Sequence, residues 1–246
     1  MLEFHLQLNI NNVLVKPPDF ARLRRGCLLA SDPKLETTDL YLNDNCVDAW
    51  AGVTYRQGIQ LWDVLVFPSL LTTDMLRRVP GSLAMAEFKR KIGRLAELLV
   101  GKGSTVEAIF QLRAWVLPRC IPRSDHWTSI LVDFEAHLVL FVDSIGSSNE
   151  TVTRQVLTIL EAASQALLNR PFDFTGWSWG SLGVLSPQQG NGYDCAIFCP
   201  ILLARSIAHR VSLRSGHGRW SNLELDKHRD LITRELLTGR VLSSSR

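Results

Sequence analysis

The stretch Ser186–Cys199, SPQQGNGYDCAIFC, sets turn-forming polar residues directly before an apolar run that begins with cysteine. Gly, Asn and Asp favour tight backbone turns, so the pattern predicts a loop that delivers the Cys195 thiol to the first turn of a buried helix. That helix is expected from Cys195 to about His209. Two chemistries fit such a thiol: an inert buried cysteine, or a nucleophile. In the second case the unpaired N–H groups and the dipole of the helix start favour thiolate over thiol. Gly190 and Gly192 let the backbone approach a substrate closely. Gln189 carries an amide that can donate to a developing oxyanion, alongside the Cys195 N–H.

A nucleophilic thiol needs a base, and the hairpin upstream offers one. Thr128–Phe134 and Leu138–Asp143 read as two strands joined by a short turn at Glu135 and Ala136. In a two-residue hairpin, parity puts His126 and Asp143 on the same face. A turn centred on residues 134 and 135 sets them directly opposite. A turn centred on 135 and 136 makes them diagonal neighbours, about 7–8 Å apart at Cα. A three-residue loop would break the parity. A carboxylate on one ring nitrogen fixes the tautomer and stabilises imidazolium, and imidazolium in turn activates a thiol.

The chain has 246 residues, 46% of them hydrophobic and 21% charged, which suits one large domain or one domain with an extension. A net charge of +3 without a Lys/Arg stripe does not point to nucleic acid, and Arg22, Arg24 and Arg25 read as a solvated turn. The five cysteines (Cys27, Cys46, Cys120, Cys195, Cys199) are odd in number and irregularly spaced. With no secretory apolar segment at the N-terminus, they point to a reducing compartment, nucleus or cytoplasm. No apolar run approaches the roughly 20 residues of a membrane span. Cys195, Cys199 and His209 have no second ligand pair at metal spacing, so no metal is expected.

Along the chain, residues 1–35 carry two apolar patches, LEFHLQL and NNVLV, and read as an extension or edge strands. Residues 36–242 form the main domain, and 243–246 a polar tail. Helices are expected from Asn43 to about Thr54, with Val47 and Trp50 on one face, and from Ser82 to Val100 through Met85, Phe88, Ile92, Leu95 and Leu99. Two more are expected at Asn149–Asn169 and Asn222–Leu237. AWVLP at 114–118 reads as a strand, and FTGWSWGSLGVL at 174–185 as extended. Strands and helices do not alternate regularly, so the class is α+β.

HWTSILVDFEAHLVLFVDSIG at 126–146, followed by PQQGNGYDCAIFC at 187–199, resembles the ubiquitin-like-protein proteases, the SUMO- and NEDD8-specific cysteine proteases of Ulp type. That family is marked by HW at a strand start, DS ending the next strand, and Q-x-N-G-x-D-C-G-x-F. YLNDNCVDAW, VLVFPSLL and WVLP resemble further family segments, so the likeness runs from about Leu40 to Ala208. It implies a papain-like fold of the Ulp/adenain type: a central mixed sheet flanked by helices, with the nucleophile at a helix N-terminus. It also implies a triad of His126, Asp143 and Cys195, with Gln189 in the oxyanion hole. Trp127 would be a lid over a tunnel that admits only Gly-Gly, and Tyr41 would stand where the family has a second tunnel tryptophan.

The implied function is hydrolysis after the C-terminal Gly-Gly of a ubiquitin-like modifier, SUMO or NEDD8 type, by a monomer with no metal, cofactor, nucleic acid or membrane partner. Two alternatives remain: an acetyltransferase using the same His–acid–Cys order, and a ubiquitin-like-protein binder with weakened catalysis. Three departures bear on the choice. Ala196 replaces the family's glycine after the nucleophile. Pro200 falls inside the helix, where its ring crowds the Ala196 carbonyl at about 3 kcal/mol unless the helix kinks. The correspondence of residues between Leu71 and Val100 is open.

Overall fold

Four short apolar runs and the segment SWGS pair into one mixed sheet, and the alternating side chains of the inner strands split the core in two. The computed structural model describes residues 8–10, 13–16, 19, 22–23, 42–77, 90, 107–121, 124–186, 188–210 and 222–242. The sheet runs in the order β3 (Val64–Val66), β4 (Ala114–Ile121), β5 (His126–Asp133), β6 (Leu138–Val142) and β7 (Ser178–Ser181). The two outer pairings are parallel and the two inner ones antiparallel. Ala114, Val116, Trp127, Leu131 and Val142 face one buried cluster, while Trp115, Leu117, Ile130, Val132, Val139 and Phe141 face the other. That is the period of two expected of strands covered on both sides.

Helices cover the two faces. Trp50 of α1 (Asp44–Trp62) and Leu225, Ile232 and Leu236 of α6 (Asn222–Thr238) enter the first cluster, together with the helix that follows Cys195. Met75 and Leu76 of α2 (Ser69–Arg77), Ile109 of α3 (Ala108–Gln111) and four residues of α4 (Glu150–Leu168) enter the second. Asn149 caps α4 by accepting the Val152 N–H at 3.1 Å, and Asn169 ends it in the left-handed conformation at φ 54°. The architecture is α+β, with a mixed sheet between helical layers.

The hairpin closes on the pair Asp133↔Leu138 around a four-residue turn, 134–137. The loop is therefore two residues longer than a minimal hairpin, but its even length keeps the parity. The turn centres on 135 and 136, which makes His126 and Asp143 diagonal neighbours.

Near the N-terminus, β1 (Leu8–Ile10) and β2 (Val13–Val15) pair antiparallel. Val15 and Leu23 are buried in the cluster that holds Trp50 and Cys195. The helix expected at 82–100 lies outside the described residues, apart from Arg90, which is helical. FTGWSWGSLGVL contains a four-residue strand, β7, then a 3-10 turn at Gly183–Leu185.

Pro200 changes the winding rather than breaking the helix. Cys195 and Ala196 are α-helical, Ile197–Leu202 widens into a π-helix, and α5 (Leu203–Ala208) resumes the α form. The wider turn moves the carbonyl of the preceding turn away from the pyrrolidine ring and accommodates the missing N–H. The expected kink thus appears as a bulge that begins two residues after Cys195.

Candidate active site

His126 starts β5 and Asp143 follows the last residue of β6, so both lie at one end of the sheet. His126 Nε2 lies 2.7 Å from Asp143 Oδ1. The aspartate is held from several sides. The Ile145 N–H donates to Oδ1 at 3.0 Å, the Ser147 hydroxyl donates to Oδ2, and the Gly146 N–H donates to the Asp143 carbonyl at 3.0 Å. Gly146 is required at this turn: its φ is +80°, and a Cβ would stand 3.2–3.3 Å from Gln188 and Val184 side-chain atoms.

Cys195 comes from the opposite face and reaches the same end. Its sulfur accepts the Trp127 N–H at 3.3 Å and lies 3.9 Å from the Asp125 carbonyl, while the His126 ring is within hydrogen-bonding reach. With Nε2 taken by Asp143, Nδ1 is the nitrogen left for the thiol. Asp125 turns into β5 in the left-handed conformation at φ 49°, which Asp tolerates better than most residues. Cys195 has no exposed surface. Burial raises its neighbours: Cys199 goes up past the ordinary thiol range, and Cys120 reaches about 11.

The hydrogen bond to Asp143 and a second one to Cys195 raise the His126 pKa to about 9, against the opposing effect of burial. For Asp143, burial acts to raise the pKa, but the hydrogen bonds from His126, Ser147 and the Ile145 N–H outweigh it and hold the pKa below the usual carboxylate range. The raised histidine stabilises the fold fully below its unfolded value of 6.5, and that contribution is lost as pH rises through about 9. The depressed aspartate acts in the other sense: its contribution is present above 3.8 and lost as pH falls. Asp143→Asn is expected to bring the His126 pKa down from about 9 towards 6.5, followed by NMR titration of the ring protons. A titration unchanged in the variant would mean that the carboxylate does not set it.

Trp127 points away from His126 into the first cluster, 2% exposed, and its indole N–H donates to the Leu42 carbonyl at 3.0 Å. Tyr41, the next residue along, lies outside the described residues. Gln189 sits in the loop before Cys195 and is tied to the residue after Asp143. Its N–H donates to the Ser144 carbonyl at 2.9 Å, and its Oε1 accepts from the Ser144 hydroxyl at 2.5 Å. Its Nε2 donates to the Asn191 carbonyl at 2.6 Å. His126 thus meets both Asp143 and Cys195, Trp127 reaches Cys195 through its backbone N–H, and Gln189 is tied to Ser144 beside Asp143.

Sequence reasoning missed the partner of Asp194. This residue precedes Cys195, is 2% exposed, and its carbonyl accepts the Ile197 and Phe198 N–H groups. Its carboxylate meets the Arg229 guanidinium, with Nε 3.0 Å from Oδ1 and Nη2 on the same oxygen. An acidic residue before the thiol was a visible signal, but nothing local marks an arginine 35 positions away on α6. Among the described residues, no cluster of three or more His, Cys, Asp and Glu could hold a metal ion, and no helix is long and apolar enough to cross a membrane.

Residues 106–225 match the family described as the Ulp1 protease family, C-terminal catalytic domain. Over 79 residues, 32% of this chain, the sequence is 28% identical to human sentrin-specific protease 2, and the aligned part spans only 13% of that relative's length. The fold is similar to that of the C-terminal Ulp1 protease domain solved with Smt3, the yeast orthologue of SUMO, with a TM-score of 0.67 and 18% identity. That likeness covers 95% of this chain and 88% of the other. The Ulp1-like SUMO protease catalytic domain of Chaetomium thermophilum gives a TM-score of 0.56 at 19% identity, covering 93% and 92%.

Proposed function

Residues 106–225 belong to the Ulp1 protease family, whose members are cysteine peptidases, and on that premise we propose that this chain hydrolyses the bond following the C-terminal Gly-Gly of a ubiquitin-like modifier, SUMO in the first place. The observation that supports this reading most directly is His126, set between the Asp143 carboxylate at 2.7 Å and the Cys195 thiol. The Cys195 sulfur attacks the glycyl carbonyl carbon as a thiolate. The electron pair of the carbonyl moves to oxygen, where the Gln189 Nε2 and the Cys195 N–H donate to it. Collapse expels the lysine or peptide amine, which takes its proton from the His126 imidazolium and leaves a thioester. His126 then removes a proton from water, whose oxygen attacks the thioester. The carboxylic acid departs and the thiol is regenerated.

Burial of the sulfur favours a glycine substrate. Around Cys195 stand the Asp125 carbonyl, the Trp127 amide and the packed Trp127 ring. In this reading the residue presented to that sulfur is a glycine, which brings no Cβ into the packed surroundings. Trp127, pinned by the Leu42 carbonyl, then acts as a fixed wall of the passage.

The test is incubation of the purified chain with SUMO, NEDD8 and ubiquitin, each carrying a C-terminal electrophile, beside Cys195→Ala. A covalent adduct with SUMO that is absent from Cys195→Ala is the expected result. An adduct with NEDD8 alone would change the substrate class, and no adduct from a folded sample would sink the reading.

A further inference from the structure

We infer that Arg229, beyond the segment the family profile matches, is a positioning residue that holds the Gln189 amide ready to donate, acting through Asp194 and Asn191. The inference rests on the proposed role of Gln189 as an oxyanion donor. A carbonyl can only accept, so the Asn191 carbonyl at 2.6 Å fixes which end of the Gln189 amide is nitrogen. The other end, Oε1, takes the Ser144 hydroxyl proton at 2.5 Å, and the Ser144 oxygen in turn accepts from the Cys199 S–H at 3.7 Å. Burial keeps Cys199 protonated and therefore a donor. Only one of the two Nε2 hydrogens is used by these contacts, and the second is left for an oxyanion.

What fixes the Asn191 carbonyl is the side chain of the same residue. Its Oδ1 accepts the N–H groups of Tyr193 and Asp194, both at 3.1 Å, and its Nδ2 donates to Asp194 Oδ2 at 2.6 Å. The other carboxylate oxygen of Asp194 lies on Arg229. The guanidinium is itself locked: Nη1 donates to the Arg22 carbonyl at 2.9 Å, and the group lies 5.8 Å from the Tyr193 ring centroid. Both members of the ion pair are almost wholly buried, with side chains 1% and 3% exposed. The fork of Arg229 therefore sets the Asp194 rotamer, Asp194 sets Asn191, and Asn191 sets Gln189. Lysine keeps the charge but not the fork, and cannot bind the carboxylate and the Arg22 carbonyl in one plane.

The experiment is a double-mutant cycle on the full chain, using a ubiquitin-like substrate with a fluorogenic amide after Gly-Gly. Arg229→Lys is expected to lower kcat about 10- to 100-fold through roughly 1 Å of misplacement, with KM within about twofold. Alkylation of Cys195 by iodoacetamide, which needs no oxyanion hole, should change by less than about twofold. In a Gln189→Ala background, the same Arg229→Lys change should cost less than about threefold, because its route is already cut. Active-site titration keeps a destabilised variant from being mistaken for a slow one, since a merely structural arginine would lower the number of active sites and not kcat per site. Asn191→Ala breaks the same chain while leaving the ion pair, and should give the same kcat-specific loss if Arg229→Lys does not fold. Additive losses in the cycle, or a loss confined to KM, overturn the assignment of Arg229 alone. No turnover by the native chain overturns the proposed function and this inference with it.

Discussion

Cys195→Ala is expected to lower turnover of a Gly-Gly substrate by roughly 10⁴-fold or more, with the fold retained. The two effects separate by magnitude. Cys195 sits in the apolar cluster with Ile197, Trp127 and Leu131, so removing its sulfur deletes one buried heavy atom and costs on the order of 1 kcal/mol. Removing the nucleophile leaves His126 and Asp143 with nothing to activate. The triad acts as a unit, so His126→Ala added to Cys195→Ala should cost almost nothing further in kcat. Steady-state rates of the two single variants and the double variant check this, with thermal melts run in parallel. Residual turnover within tenfold of the native chain would remove Cys195 from the chemistry, and with it the proposed thiol mechanism.

The largest expected loss of stability lies away from the thiol, at Glu235 of α6. Its carboxylate is fully buried and gathers three elements: Oε2 accepts the Trp50 indole N–H of α1 at 2.9 Å and the Arg205 guanidinium of α5, and Oε1 accepts the Leu242 N–H at 2.8 Å. Glu235→Ala leaves the Arg205 charge buried without this partner, a change that typically costs about 3–5 kcal/mol. For a chain of this size that is roughly a 10 °C fall in Tm. Glu235→Gln keeps an acceptor for Trp50 and should lose less. A calorimetric melt in which Glu235→Ala shifts Tm by less than about 2 °C would mean that the cluster is not a clamp.

Both networks place α6 behind the candidate site. Arg229 braces the loop that carries Gln189 and Cys195, and Glu235, two turns further on, ties the same helix to Trp50 and Arg205. The C-terminal helix is thereby coupled to the nucleophile's loop, though it contributes no residue to the proposed triad. The His126–Asp143 pair is supported differently, by the sheet itself and by the turn at Ile145–Ser147.

Much of this was readable from local pattern. The short apolar runs at 114–118, 128–134 and 138–143 read as the inner strands, and the pleat gives every strand a side-chain period of two. The same period made the shared face of His126 and Asp143 a matter of counting, provided the loop length was even. The ends of α4 were expected at Asn149 and Asn169, and both prove to be its caps, contacts that reach only three or four residues. The turn-rich QGNGYD loop marked the start of a helix for a similar reason. Pro200 announced a disturbance, but not its form, since bulge and kink differ only in how the surrounding packing receives the wider turn.

By itself, then, the sequence determined the α+β class, the strand pairing at the hairpin and the shared face of His126 and Asp143, each from spacing or short-range turn chemistry. It joined Cys195 to that pair through the family resemblance. Only the tertiary structure decided that Arg229 holds Asp194, that Glu235 joins Trp50 to Arg205, and that Ser144 ties Gln189 to the end of β6. These contacts join residues 30 to 185 positions apart. A buried charge is satisfied by whatever the fold brings beside it, and that choice leaves no periodic mark along the chain.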